Sequence, residues 1–245
     1  MVINPNADQT APVLIDGVTP SAEIREELAR KGIPVLLAFS RGKDSLAAWL
    51  ALRDADVEVR PFHLYLVPGL EFVDESLVDY EKFFGTTIPQ LPHPSLFRWL
   101  NNLTFQVPER RLIIEAAQLP EPDYVDISRV LCSEYYDLDP EVTFTADGIR
   151  AADSPNRRTA LKGHGPVREH VMKVSPVWDW RIRHVRAALA DHRCPLPVDY
   201  ELFNRTFDGL DLRFLAPIKE RFPRDYERIL EWFPLADLEL FRAGL

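Results

Sequence analysis

The sequence predicts an α/β fold in which a parallel sheet is flanked by helices, with a helical C-terminal region. Two observations carry that expectation. Two apolar runs of strand length are each followed by a turn and then by apolar residues at helical spacing, and successive strand–helix units of this kind align their strands in parallel. The 245 residues are 46% apolar and 27% charged, which supplies a sizeable core for one large or two small domains.

Residues 1–18 hold Pro5, Pro12 and Gly17 without a sustained apolar period and read as an extended arm. A first helix is expected from Pro20 to Lys31, with Thr19 as N-cap, Glu23 in the first turn and Gly32 as its stop. Ile33–Phe39 has the continuous apolar character of a central strand. Ser40–Ser45 supplies a turn, and Leu46, Ala47, Leu50 and Ala51 mark a helix up to about Asp54.

Val57–Val67 returns to strand character, Pro68-Gly69 breaks it, and a second helix is expected over Val73–Phe84, ended by Gly85. Residues 86–122 are punctuated by proline, consistent with short helices, and Tyr124–Tyr136 reads as helical. Val142–Ala146 is the next strand, closed by Asp147-Gly148. Beyond it the pattern predicts a strand over Val171–Val174, a helix over Asp179–Asp191, and helices from Tyr200 onward with Trp232 and Phe233 in packing roles.

Several function classes are disfavoured by composition alone. No run approaches the roughly 18 consecutive apolar residues of a membrane span, and the polar, proline-containing start has no basic and apolar leader pattern, so a cytoplasmic location without membrane partners is expected. Cys132 and Cys194 are too few for a disulfide framework, an all-cysteine zinc site or a four-thiolate cluster. The net charge of −9 argues against generic nucleic-acid binding and leaves nucleic acid only as a specific substrate. The charge is uneven, however. Residues 149–193 carry ten basic and four acidic residues, a net of +6 that leaves −15 for the remainder. This concentration suits a small polyanion, and a solvated arginine-rich face is the plain alternative.

A buried strand, a short glycine-containing turn and a helix N-terminus together make an anion site, because unpaired N–H groups and the helix dipole point at whatever sits there. Ser40-Arg41-Gly42-Lys43-Asp44-Ser45 has this design, with two hydroxyl donors and a cation. It is not a Walker A loop, since the first glycine would fall at Leu37 and Asp44 separates Lys43 from Ser45.

The same loop resembles the S-G-G-x-D-S loop of the PP-loop ATP pyrophosphatases, and its G-K-D-S ending is most similar to the branch containing phosphoadenosine phosphosulfate (PAPS) reductases. Arg41 stands where that family usually has glycine. Gly148-Ile-Arg-Ala-Ala-Asp-Ser-Pro-Asn-Arg157 is similar to the G-x-R-x-x-E-S-x-x-R segment of the same branch, with Asp153 in place of glutamate. Pro176–Trp180 is a weaker likeness to a P-x-x-D-W element. The resemblance covers roughly residues 33–200. It implies an adenine nucleotide alpha hydrolase-like, Rossmann-like domain over 19–199, with 200–245 as a helical extension.

For the site, the resemblance implies a nucleotide, ATP or a PAPS-like one, with Mg²⁺. Ser40, Arg41, Gly42, Lys43, Asp44, Ser45, Gly148, Arg150, Arg157 and Arg158 would bind it. Lys43, Asp44, Arg150 and Arg157 would take the catalytic part, with Asp44 also as metal ligand. Arginine suits the oxyanions because its planar fork binds them bidentately. Surface ion pairs are the plain reading of Arg150 and Arg157, and packing is that of Trp178 and Trp180. His164, His170, His184 and His192 lie in the basic segment with no partner pattern that fixes a metal or a triad.

The reductases of that branch use a cysteine near the C-terminus, and here Phe241–Leu245 offers none. Relatives in DNA phosphorothioation and tRNA thiolation use several cysteines, which two distant ones do not match. The expected chemistry is therefore cleavage of ATP between its α- and β-phosphates, with adenylation of an unidentified acceptor. A reductase-like sulfur enzyme using Cys132 or Cys194, and a non-catalytic nucleotide-binding protein, are the rivals. The sequence leaves a homodimer open.

Overall fold

The computed structural model describes residues 11–244; the first ten positions of the expected arm lie outside the described residues. The elements in chain order are α1 (Ser21–Lys31), β1 (Val35–Ala38), α2 (Lys43–Asp54), β2 (Val59–Tyr65), α3 (Glu71–Phe84), β3 (Gln90–Pro92), α4 (Pro94–Asn101), α5 (Arg111–Ala117) and α6 (Tyr124–Val130), which continues as a π-helical turn over Leu131–Tyr135. There follow β4 (Thr145–Ala146), α7 (Pro155–His164), β5 (Val167–Arg168), β6 (Lys173–Val174), α8 (Ile182–Asp191), α9 (Asp199–Phe203), α10 (Leu212–Arg221), α11 (Pro223–Trp232) and α12 (Leu238–Ala243).

The strands form one sheet in the order β3-β2-β1-β4-β6-β5. All neighbours are parallel except the β5–β6 pair at one edge. This is the α/β arrangement that the strand–helix units predict, Rossmann-like in its flanking helices and followed by helices at the C-terminus. β1 lies centrally and is apolar on both faces, with Val35, Leu36 and Leu37 at 1% exposure or less.

The chain divides into two compact units. One comprises Met1–Phe62 and Ser128–Pro195, the other His63–Ile127 and Leu196–Leu245. In the first, α2 packs on α8 and buries Leu46, Leu50, Val185 and Leu189. In the second, Phe72 stacks on Phe222 at 5.2 Å, and Phe203 meets Phe214 edge-on at 5.0 Å. Phe233 is buried there as expected and contacts the Trp99 ring, while Trp232 is only half-buried.

Several expectations need correction. Thr19 does not cap α1; Pro20 holds the N-cap position without a side-chain bond, and the Asp179 carboxylate instead accepts from Ser21 N at 2.9 Å and Ser21 Oγ at 2.5 Å. Asp179 accordingly lies outside α8, which starts at Ile182. β4 spans two residues rather than five, and β3, β5 and α7 were not foreseen. Gly32 and Gly85 end α1 and α3 at the expected positions.

Candidate functional site

In an open α/β sheet the crevice that accepts a ligand lies beyond the carboxyl ends of two neighbouring strands whose connections leave in opposite directions. Here that pair is β1 and β4, because the chain runs outward from β1 to β2 and β3 and returns on the other side of β1. Both strands and the loops that leave them belong to the first unit.

The loop after β1 is the Ser40–Ser45 segment. Arg41 has φ 63°, the left-handed region, and is 1% exposed. A β-carbon strains the backbone there, which gives a physical reason for glycine in similar loops. Ser45 Oγ donates to Gly42 O at 2.9 Å and lies 3.1 Å from Ser40 Oγ, while Gly42 N donates to Ser40 Oγ at 3.4 Å. No side-chain hydrogen bond caps α2 at Gly42. By contrast, carboxylates meet the N-termini of α1 and α3 in their own units: Asp179 as described, and Asp225, which accepts from Glu71 N at 2.6 Å and Phe72 N at 3.2 Å.

The loop after β4 closes onto this one. A β-carbon on Gly148 would lie 2.7 Å from Asp44 C, 2.8 Å from Asp44 O and 2.8 Å from Ser45 N, so only glycine lets the two backbones approach so closely. Arg150 is 3% exposed; its Nη2 stands 2.5 Å from Asp153 Oδ1 and 3.0 Å from Asp44 Oδ1. The second contact is an ion pair by distance without hydrogen-bond alignment, for Asp44 Oδ1 has no hydrogen-bond donor. Arg157 Nη1 reaches Asp153 Oδ2 at 2.5 Å. Lys43 Nζ donates to Asp44 Oδ2 at 2.7 Å. The Pro176–Trp180 segment meets the loop after β4 through the bond from Ala151 N to Trp178 O at 2.7 Å.

Eight of the ten expected binding residues, Ser40 to Ser45 with Gly148 and Arg150, are thus gathered at the ends of β1 and β4. The Arg157 side chain, half-exposed, is linked to this cluster through Asp153. Arg158 lies elsewhere, on the rim of a small cavity with Asp16 and Lys162. A larger cavity of about 390 Å³ is lined by α1, Phe144, Lys162 and Val174 and contains none of the loop residues. The basic segment therefore points in more than one direction, with Arg150 at the loop and Arg158 and Lys162 at other cavities.

Asp44 does not fit the part of a resident Mg²⁺ ligand, because Lys43 and Arg150 flank its carboxylate. Among the described residues no group of three His, Cys, Asp or Glu side chains could hold a metal ion. Burial raises the Cys132 thiol above its ordinary value and pushes Cys194 up to about 11, so neither is a ready thiolate. The expected structural reading of Trp178 holds, since it is buried and its Nε1 donates to Thr19 O at 3.0 Å. His184 Nδ1 accepts from Arg181 N, and His192 Nε2 stands 2.9 Å from Asp54 Oδ2.

One participant escaped the motif reading. Asp147 sits between β4 and Gly148, with Ser175 Oγ at 2.7 Å and Ile149 N at 3.1 Å from its Oδ1. Its only sequence signal was the Asp-Gly pair, which marks a turn and says nothing of a site.

The fold and this constellation define a mainly parallel α/β protein with a glycine-containing loop at a helix N-terminus beside its strand crossover. No family model matches the chain. It is 26% identical over 210 residues to an uncharacterized protein of Methanocaldococcus jannaschii, a match that covers 80% of this chain and spans 40% of that protein's length. Among solved structures, an NH₃-dependent NAD synthetase from Campylobacter jejuni, in complex with nitrate, superposes with a TM-score of 0.43 at 13% identity, over 92% of this chain and 94% of that one. A likeness that distant assigns no activity. No helix among the described residues is long and apolar enough to cross a membrane.

Proposed function

We propose that this chain is a nucleotide-binding enzyme of the PP-loop ATP pyrophosphatase type, which cleaves ATP between the α- and β-phosphates and adenylates an acceptor. The observation that carries the reading is the contact of Gly148 with the Asp44–Ser45 backbone. It brings two segments about a hundred residues apart, each resembling a motif of that superfamily, to one crossover point, where open α/β sheets bind ligands.

In this reading, a nucleophilic oxygen of the acceptor attacks the α-phosphorus. The bond from that phosphorus to the α–β bridging oxygen breaks, and the bond's electrons leave on pyrophosphate. Ser40, Gly42, Lys43 and Ser45 hold the leaving group through hydroxyls, backbone N–H groups and one ammonium. Arg150 offsets charge that develops on the phosphates, with Arg157 recruited from Asp153. Asp44 orients Lys43 and Arg150 rather than reacting. The work is positioning and electrostatics, so no protein nucleophile is required. Mg²⁺ belongs to this reading as an ion carried by the nucleotide. The reductase alternative loses support because both thiols are buried and titrate high.

The test is incubation with ATP and Mg²⁺ across candidate acceptors, with detection of AMP and pyrophosphate. Release of pyrophosphate with the AMP moiety recovered on the acceptor, or as free AMP once water or a second nucleophile displaces it, both abolished in Lys43→Ala, supports the enzyme. Tight ATP binding with no turnover on any acceptor would leave a binding protein, and no ATP binding at all would overturn the reading.

A further inference from the structure

We propose that Asp147 is a positioning residue of this site, whose Oδ1 atom locks the Gly148–Arg150 turn against the first turn of α2. The inference rests on the nucleotide reading of that loop and assigns a role to a residue outside its motifs.

Asp147 is placed by the sheet. Its N–H donates to Val174 O at 3.0 Å, which extends the β4–β6 pairing one residue past β4. From there a single carboxylate oxygen takes two donors: Ile149 N at 3.1 Å, which closes a tight Asx-type turn around Gly148, and Ser175 Oγ at 2.7 Å. Ser175 is itself fixed by its N–H bond to Pro166 O at 2.9 Å. The other oxygen faces Arg168 Nη2 at 3.5 Å.

The turn so held leaves no slack, because Gly148 packs where a β-carbon could not fit, and Arg150 two residues on contacts Asp44. A loosened turn would withdraw both the floor of the loop and its buried arginine. The two short bonds need an acceptor oxygen and not a charge. Burial favours the neutral carboxyl, raising it above the ordinary aspartate range against the pull of Ser175, Ile149 and Arg168. An amide oxygen should therefore serve as well.

Asp147→Ala, Asp147→Asn and Ser175→Ala separate these parts, with ATP and Mg²⁺ titrated by calorimetry and backbone amide exchange followed in the ligand-free protein. Asp147→Ala is expected to weaken ATP binding about tenfold or more and to speed exchange at Ile149 while the β1 amides stay protected. Asp147→Asn is expected to restore affinity to within about threefold and keep the Ile149 amide slow, with Ser175→Ala in between. If Asp147→Ala binds ATP like the wild type, or if Asp147→Asn fails as badly as alanine, the proposal is overturned. A wild type that binds no ATP sinks the nucleotide reading instead. Exchange at Ile149 then still decides the lock: slow in wild type and Asn, fast in Ala, supports it, and any other pattern ends it.

Discussion

Gly148 and Arg150 act by opposite means, the one by having no side chain and the other by burying a charged one. A methyl group at 148 would need backbone to shift, since its nearest neighbours are main-chain atoms of Asp44 and Ser45 under 3.0 Å away. Gly148→Ala is therefore expected to cost about 1–3 kcal/mol in chemical denaturation and to remove measurable ATP binding, whereas a flexible contact would yield and cost little. Arg150→Ala strands two carboxylates, Asp44 and Asp153, of which one keeps Lys43 and the other keeps Arg157. Removing one partner of a buried pair costs more than the pair contributes, and partial exposure of both acids moderates that to about 2 kcal/mol. Unchanged stability in Arg150→Ala would show that Asp44 and Asp153 find other partners. Arg41 poses the reverse case, a buried residue that carries a side chain at a left-handed φ of 63°.

Among the elements, α1 and α3 take carboxylates from far along the chain at their N-termini, and α2 takes none from a side chain. Asp179 serves α1 through both Ser21 N and Ser21 Oγ, so Asp179→Ala should lower stability by about 1–2 kcal/mol, as read by denaturant midpoint. This also marks where the sequence stops being legible. Local signals placed α1, β1, α2 and α3, because glycine stops, apolar runs and helical spacing are short-range properties. The cap of α1 lies 158 residues away, so Thr19 was the nearest and wrong choice. β3 and β5 have three and two residues at the two edges of the sheet and are too short to show a period. The Ser40–Ser45 loop was legible from its glycine, hydroxyls and flanks. That Gly148 presses on it, and that Asp147 holds the turn, are facts of packing that no spacing encodes.

At the scale of the whole molecule, partly or wholly buried titratable groups of opposite kind shape how stability varies with pH. Burial raises the carboxyls of Asp147 and Asp225 in the folded state, against their hydrogen bonds. A raised folded pKa means the fold binds the proton more tightly than the unfolded chain, so the stability these groups contribute is full below pH 3.8 and is lost as pH climbs through their folded values. His93, half-buried, runs the other way. Burial first, and then Arg98, lower it from 6.5 to about 4, so its contribution is present above pH 6.5 and drains away as pH falls toward 4. Its neutral ring is in use, since Nδ1 accepts from Ser95 N at 2.9 Å to cap α4. Above pH 4 the two trends oppose each other, the carboxyls favouring the fold at the acid end and His93 favouring it toward neutrality. Asp147→Asn removes one falling contribution, and its melting temperature should rise with pH more steeply than the wild type's. His93→Asn keeps an acceptor for Ser95 N but removes the rising contribution, and its melting temperature should fall with pH relative to the wild type's. Parallel pH profiles for all three proteins would show that neither group changes its proton affinity on folding.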